Sequence, residues 1–413
     1  MTATVRLGAG RHKVIQWSGL RIREAEGSWL QDEDGRRYLD FFGASGVNLL
    51  GHCHPRVARR VREAFGSRGI GAFPGIFEDD LVARLGVVLA GGKWCAELFS
   101  GGAEAVEAAL RAAEEYTGRR GVLAFDGGFH GKTMGARSVT QGAKPPVIGA
   151  VFARYPDRAK CPHHAPARGL PCSCVTEAGE VVAASAEHLG AIIVEPVQGR
   201  SGNITPPPGF LTYLRRLADE YGLLLIVDET LTGLGRTGAW LAHHEEDVRA
   251  DLIVIGKGLG GGYPVSALIG EAGVMDAGSF GVPSGSSSSF GGYAAAAAAA
   301  AATLVVLEEQ DLIIRSRAVG AGLLADLETG LAGCPAVTGV SGRGLCAGIH
   351  FADPSADTVR MFFDECFQQG LITMTGEGCA RLYPPLTISP DDVRLGTEIL
   401  CAAAWRIAKG TGR

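Results

Sequence analysis

The chain has 413 residues, 46% of them apolar and 20% charged, and a formal net charge of -5. That length suits two domains, or a large one with a smaller companion, and the composition can bury a sizeable core. Mild acidity without a Lys/Arg cluster excludes an electrostatic footprint for nucleic acid, and the first residues carry no apolar run of signal-peptide length, so a cytoplasmic protein is expected.

In chain order, residues 29–39 read as a hairpin turning at Asp34-Gly35. Residues 98–105 form a glycine turn running into a strong helix former over 106–113. The runs 191–194, 223–227, 252–255 and 267–269 are short, apolar and bounded by polar residues or glycine, which suits strands buried on both faces of a sheet. Between the first two, Phe210, Leu211, Leu214 and Leu217 recur at helical spacing. Such alternation predicts an α/β fold with a mostly parallel sheet covered by helices. An alanine-rich stretch, 293–309, reads as a long buried helix leaving that domain, not as a membrane span. The expected organisation is a large domain over 55–310 and a smaller α+β domain built from both termini, 1–54 and 311–413.

Ten cysteines without a secretory signal argue against a disulfide framework. The cluster Cys161, His163, His164, Cys172 and Cys174 has zinc-type ligands but no familiar zinc spacing, so a loop with unliganded thiols, and no metal, is the expectation.

The chemistry concentrates at two strand ends. Asp228-Glu229 closes an apolar run, which puts a carboxylate at the edge where open α/β sheets bind ligands. Lys257 follows another such run and stands alone among glycines 256, 258 and 260–262. Solvated acids at a strand end would be unremarkable in isolation. A lone lysine among glycines after a buried strand is not explained as a surface charge, and a desolvated lysine becomes a usable amine nucleophile. An amine for a Schiff base and an acid for a ring nitrogen are the two groups a pyridoxal-phosphate (PLP) site most needs. The turn Ser100-Gly101-Gly102-Ala103 offers free N–H groups and a helix dipole to a phosphate. A rival phosphate loop at 127–133 ends like a Walker motif, but Asp126 stands where its first glycine is required.

The segment 228–238 followed by 256–259 resembles the signature of class III PLP-dependent aminotransferases, the ω-amino acid, ornithine and GABA type. Further matching blocks, in family order, are Gly51-His52-Cys53-His54-Pro55, residues 100–107, Phe129-His130-Gly131, residues 195–199, residues 289–292 and residues 381–386. The resemblance implies fold type I and a homodimer with active sites at the subunit interface. It implies that Lys257 forms the internal aldimine and shuttles a proton, and that Asp228 keeps the pyridine nitrogen protonated. Gly101, Gly102 and Ala103 would bind the phosphate through backbone amides, and Phe129 would stack on the ring. Ser289 would reach the phosphate of the neighbouring subunit, and Arg381 would bind a substrate carboxylate.

The chain departs from the family at several places. Leu231 stands where a glutamine commonly contacts the ring's 3′-oxygen, and Thr230 where valine commonly packs on its face. Arg200 stands where many relatives carry a glutamate able to pair with the arginine matched by Arg381. Arg200 either helps bind a second anionic group or points to solvent. The implied reaction is transfer of an amino group from a small-molecule donor to a keto or aldehyde acceptor by way of pyridoxamine phosphate. Racemisation or epimerisation, amino-group migration and decarboxylation use the same lysine and acid and stay open. A non-catalytic scaffold on the same fold is the alternative from a different class.

Overall fold

The computed structural model describes residues 13–67, 75–89, 91–141, 149–157 and 173–410. Cys161, His163, His164, Cys172 and the side chain of Cys174, raised above as thiol and imidazole ligands, lie outside the described residues.

After a short helix, Lys13–Ser18, come three strands, β1 (Ile22–Glu26), β2 (Trp29–Asp32) and β3 (Arg37–Asp40), paired antiparallel. The turn at Asp34-Gly35 lies between β2 and β3, with Gly35 at φ 85° and its N–H donating to Asp32 O. The central sheet comprises β4 (Trp94–Phe99), β5 (Gly121–Phe125), β6 (Ala150–Ala153), β7 (Leu189–Val194), β8 (Leu224–Asp228), β9 (Leu252–Ile255) and β10 (Ser266–Glu271). Their order is β4-β10-β9-β8-β7-β5-β6.

Strands β6, β5, β7, β8 and β9 run parallel. Every residue of β5, β7, β8 and β9 is buried, so both faces are covered and apolar side chains are needed on each. Alternate residues serve different cores. Ile193, Ile226 and Val254 pack with the helix Gly102–Thr117, whereas Val194, Val227 and Ile253 belong to the larger core that includes the helix Ala294–Glu309.

The strand read at 267–269 is the exception to the parallel pattern. It lies within β10, which is antiparallel to both β9 and β4. The connection from β9 is too short to hold a crossover helix, which a parallel pair requires. The alanine-rich helix is buried from Ala294 to Leu304, and small side chains on all sides let it sit inside the protein.

The C-terminal part carries β11 (Val337–Arg343), β12 (Cys346–Phe351), β13 (Leu371–Ile372), β14 (Met374–Gly376) and β15 (Cys379–Leu382). Four of these form an antiparallel sheet in the order β11-β12-β15-β14. The fifth, β13, pairs parallel with β3 through Leu371 and Leu39, which ties the two ends of the chain together. No helix among the described residues is long and apolar enough to cross a membrane.

Candidate active site

Asp228 ends β8 at the carboxyl edge of the parallel strands and is 4% exposed. Its Oδ2 accepts a hydrogen bond from His130 Nδ1 at 2.8 Å, and its Oδ1 accepts the Thr230 N–H at 3.0 Å. Burial pushes the Asp228 carboxyl up, but the hydrogen bond and positive charge of His130 outweigh it and hold it below the ordinary carboxylate range. His130 is also buried. Burial pulls the imidazole down, and the bond and charge of Asp228, with Glu195, carry it above its ordinary value. A second buried carboxylate completes the group: Glu195 accepts the N–H of Phe129 at 2.9 Å and of Gly199 at 3.4 Å. Burial holds Glu195 above the ordinary range.

Lys257 follows β9 with φ at 37°, a left-handed conformation that an L-residue with a side chain adopts under strain. Desolvation lowers its pKa against the pull of Asp228 and Glu195, and the charge of Arg381 lowers it further. A lowered pKa favours the free-base form that a nucleophile and proton carrier needs. The N-terminal segment also borders this space, because a Cβ on Gly46 would come within 2.7 Å of Leu231 and 4.0 Å of Lys257 Cδ.

The glycine turn leads directly into the helix Gly102–Thr117. Glu104 reaches back to accept the N–H of Ser100 at 2.9 Å and of Gly101 at 2.8 Å. The Gly101 amide is thus taken. The amides of Gly102 and Ala103, in the first helical turn, have no intrahelical acceptor. Beside them Ser266 Oγ is buried without a hydrogen-bond partner, at 0% exposure. The packing here is close: a Cβ on Gly102 would meet Thr230 Cγ2 at 3.0 Å, and one on Gly256 would meet both Ser266 and Thr230 at 3.3 Å. An orphaned hydroxyl beside a helix N-terminus is a donor set suited to a phosphate, so these residues fit the phosphate end of PLP.

Phe129 is partly exposed, and the Arg200 guanidinium lies 5.6 Å from its ring centroid. Arg200 pairs with Glu377 at 3.0 Å. Arg381, on β15, is 7% exposed, with its Nε buried and unpartnered. Ser289 stands apart from this group: it is exposed in the loop before the helix Ala294–Glu309, and none of the hydrogen bonds among the described residues reaches it.

Sequence reading missed His130, Glu195, Ser266 and Glu377 as members of this site. His130 and Glu195 were inside quoted blocks, but nothing in their spacing shows that one bonds Asp228 and the other Phe129. Ser266 opens a strand, and Glu377 sits in a turn; neither position carries a signal.

The description "Aminotransferase class-III" matches residues 11–404 of the chain. Among curated relatives, an acetylornithine aminotransferase of Methanopyrus kandleri is 36% identical over 375 residues, covering 89% of this chain and 90% of its own. A 5-aminovalerate aminotransferase of Pseudomonas aeruginosa is 32% identical and covers 96% of this chain and 95% of its own. Among solved structures, an amine transaminase from an uncultivated Pseudomonas species in its PLP-bound form superposes with a TM-score of 0.88. It is 28% identical and covers 98% of this chain and 99% of its own. This chain belongs to the class-III aminotransferases, fold type I enzymes that use PLP to move an amino group from a small-molecule donor to a carbonyl acceptor.

Proposed function

We propose that Lys257 and Asp228 carry this transamination, with Phe129 against the cofactor ring and Gly102, Ala103 and Ser266 around its phosphate. The observation that carries the reading is a partly buried, desolvated amine at Lys257 that interacts with a buried carboxylate at Asp228, which His130 keeps ionised. PLP, when bound, supplies an aldehyde carbon to hold the amino group and a ring that takes up electron density. Asp228, acceptor-only while ionised, holds the proton on the ring nitrogen. Lys257 Nζ moves the proton at the amine-bearing carbon of the substrate, which its lowered pKa permits. Arg381 orients a carboxylate through its planar fork, and its unpartnered buried Nε supports that role. Gly101 shapes the phosphate turn instead of donating to it.

The same reading makes the protein a cytoplasmic homodimer in which Ser289 of one subunit reaches the phosphate site of its partner. The exposure of Ser289 and of its neighbour Phe290, at 68%, supports this. The large domain would span 55–310 and the small one 1–54 with 311–413.

Visible absorbance of the PLP-loaded protein, lost in Lys257→Ala, tests the assignment. Adding an amine without any acceptor should give a single conversion to pyridoxamine phosphate and then stop. Sustained turnover under those conditions would defeat transamination in favour of racemisation, migration or decarboxylation.

A further inference from the structure

Arg236 is a buried cation with no part in the steps at Lys257 and Asp228. It stands in the loop after β8 and is 0% exposed. Desolvation pulls its pKa down to about 10 against the pull of the Cys346 thiol and the Tyr383 hydroxyl, so it is still charged near neutrality. No carboxylate among the described residues pairs with it. Taking such a charge out of water without an opposite one beside it is costly, so stability is a poor reason for its place.

Its contacts supply a better one. Nη1 donates to two backbone carbonyls, Leu345 O at 3.0 Å and Pro384 O. Its own carbonyl accepts the Leu345 N–H at 2.9 Å, so one arginine holds both polar groups of that residue. Nε and Nη2 are buried and unpartnered, which leaves the anchoring to Nη1.

Leu345 directly precedes β12, and Pro384 lies two residues beyond β15. These strands pair antiparallel, with Ala347 facing Leu382 and Gly348 facing Arg381. Continued by two steps, the same register sets Leu345 opposite Pro384, which has no N–H to give. Arg236 takes the place of that missing pair. It closes the ladder of the C-terminal sheet from a loop that belongs to the central sheet. The surroundings leave little play, because the turn between β11 and β12 is wedged on both sides. A Cβ on Gly320 would come within 2.1 Å of Gly344 C, and one on Gly344 within 2.5 Å of Thr237 C. Backbones packed this closely transmit a displacement instead of absorbing it.

Arg381 is on the same strand, three residues before Pro384. Lys257 follows β9 of the central sheet, and the charge of Arg381 reaches it. The separation of these two side chains therefore depends on how one sheet is seated on the other.

We propose that Arg236 is a positioning residue: it fixes the β12–β15 ladder to the central sheet and thereby sets where Arg381 stands relative to Lys257. It touches neither substrate nor cofactor. The inference rests on the site proposed above, in which Arg381 holds a carboxylate while Lys257 moves the proton.

Butyrate, an unreactive carboxylate, tests it by calorimetry on the PLP-loaded enzyme, with PLP affinity of each apo protein measured in parallel. Arg236→Met exchanges the guanidinium for an apolar chain, a replacement that buried ions often tolerate. It should bind butyrate about tenfold more weakly, as when a hydrogen bond to a charged group is misaligned, and PLP within about twofold of wild type. Arg236→Lys, which offers donors at a single nitrogen, should recover part of the loss. In an Arg381→Gln background Arg236→Met should make no further difference, because the group it acts through is gone. Unchanged butyrate affinity in folded Arg236→Met overturns the proposal. So does an equal loss of butyrate and PLP affinity, or a full loss in the Arg381→Gln background. If Arg236→Met does not fold, Arg236→Lys decides: about a threefold loss for butyrate alone is expected, and wild-type affinity overturns the proposal. A wild type that does not bind butyrate removes the role of Arg381 and the proposal with it. Conversion of the cofactor by amines is read separately; if it persists, the transaminase reading survives each of these failures, and if no amine converts the wild type, that reading falls.

Discussion

Removing the imidazole of His130 tests how the charge on Asp228 is maintained. The carboxylate has two described donors, His130 Nδ1 at 2.8 Å and Thr230 N at 3.0 Å, and both members of the His–Asp pair are nearly sealed from water, at 1% and 4% side-chain exposure. Solvent screening therefore does little to weaken the interaction. In His130→Phe the carboxylate keeps one donor in a buried site, and breaking a buried pair in this way destabilises by about 3–5 kcal/mol. A hydrogen bond to a charged group contributes about 1.5–3 kcal/mol, so a carboxylate deprived of it should hold the protonated cofactor ring roughly 10- to 150-fold less tightly. His130→Asn places an amide donor near the Nδ1 position. It should recover most of the stability while lacking the positive charge. Urea unfolding of the three proteins, with spectrophotometric titration of each apo form by PLP, separates the two effects. If folded His130→Phe binds PLP within about twofold of wild type, the role assigned to His130 is wrong on the scale of that bond.

The pH dependence of the same pair has a definite sign. His130 is raised above its ordinary 6.5, so its contribution is complete below that pH and is lost as pH rises through the raised value. Asp228 is lowered from its ordinary 3.8, so its contribution is complete above that pH and is lost as pH falls through the lowered value. The stability difference between wild type and His130→Asn should therefore be largest between about pH 4 and 6.5 and shrink above that window; a gap that widens toward alkaline pH contradicts the assignment. Ser266→Ala should leave the apo protein as stable as wild type or slightly more so, because it removes a buried hydroxyl with no partner. Its affinity for PLP should fall by about tenfold, and a loss of apo stability with unchanged affinity would place Ser266 outside the phosphate site.

The sequence by itself determined the layout: buried apolar runs and helical spacing required a mostly parallel, two-sided sheet, and Asp228 and Lys257 had to follow strands of that sheet. Those are local properties of period and burial, and they can be read from consecutive residues. The glycine turn at 100–103 was legible as a turn opening a helix for the same reason, although Glu104 taking the Gly101 amide was not. Only the tertiary structure decided which groups meet. His130 reaches Asp228 across 98 positions, Glu195 reaches the amide of Phe129 across 66, and Arg200 finds Glu377 across 177. No spacing rule connects such pairs, because each is made by chain reversals whose geometry depends on the whole packed sheet. The direction of β10 was set by the length of its connection, and the partner of Arg200 by the turn between β14 and β15 that carries Glu377. A substitution that looked like the loss of a family glutamate became, in three dimensions, a cation with its own carboxylate nearby.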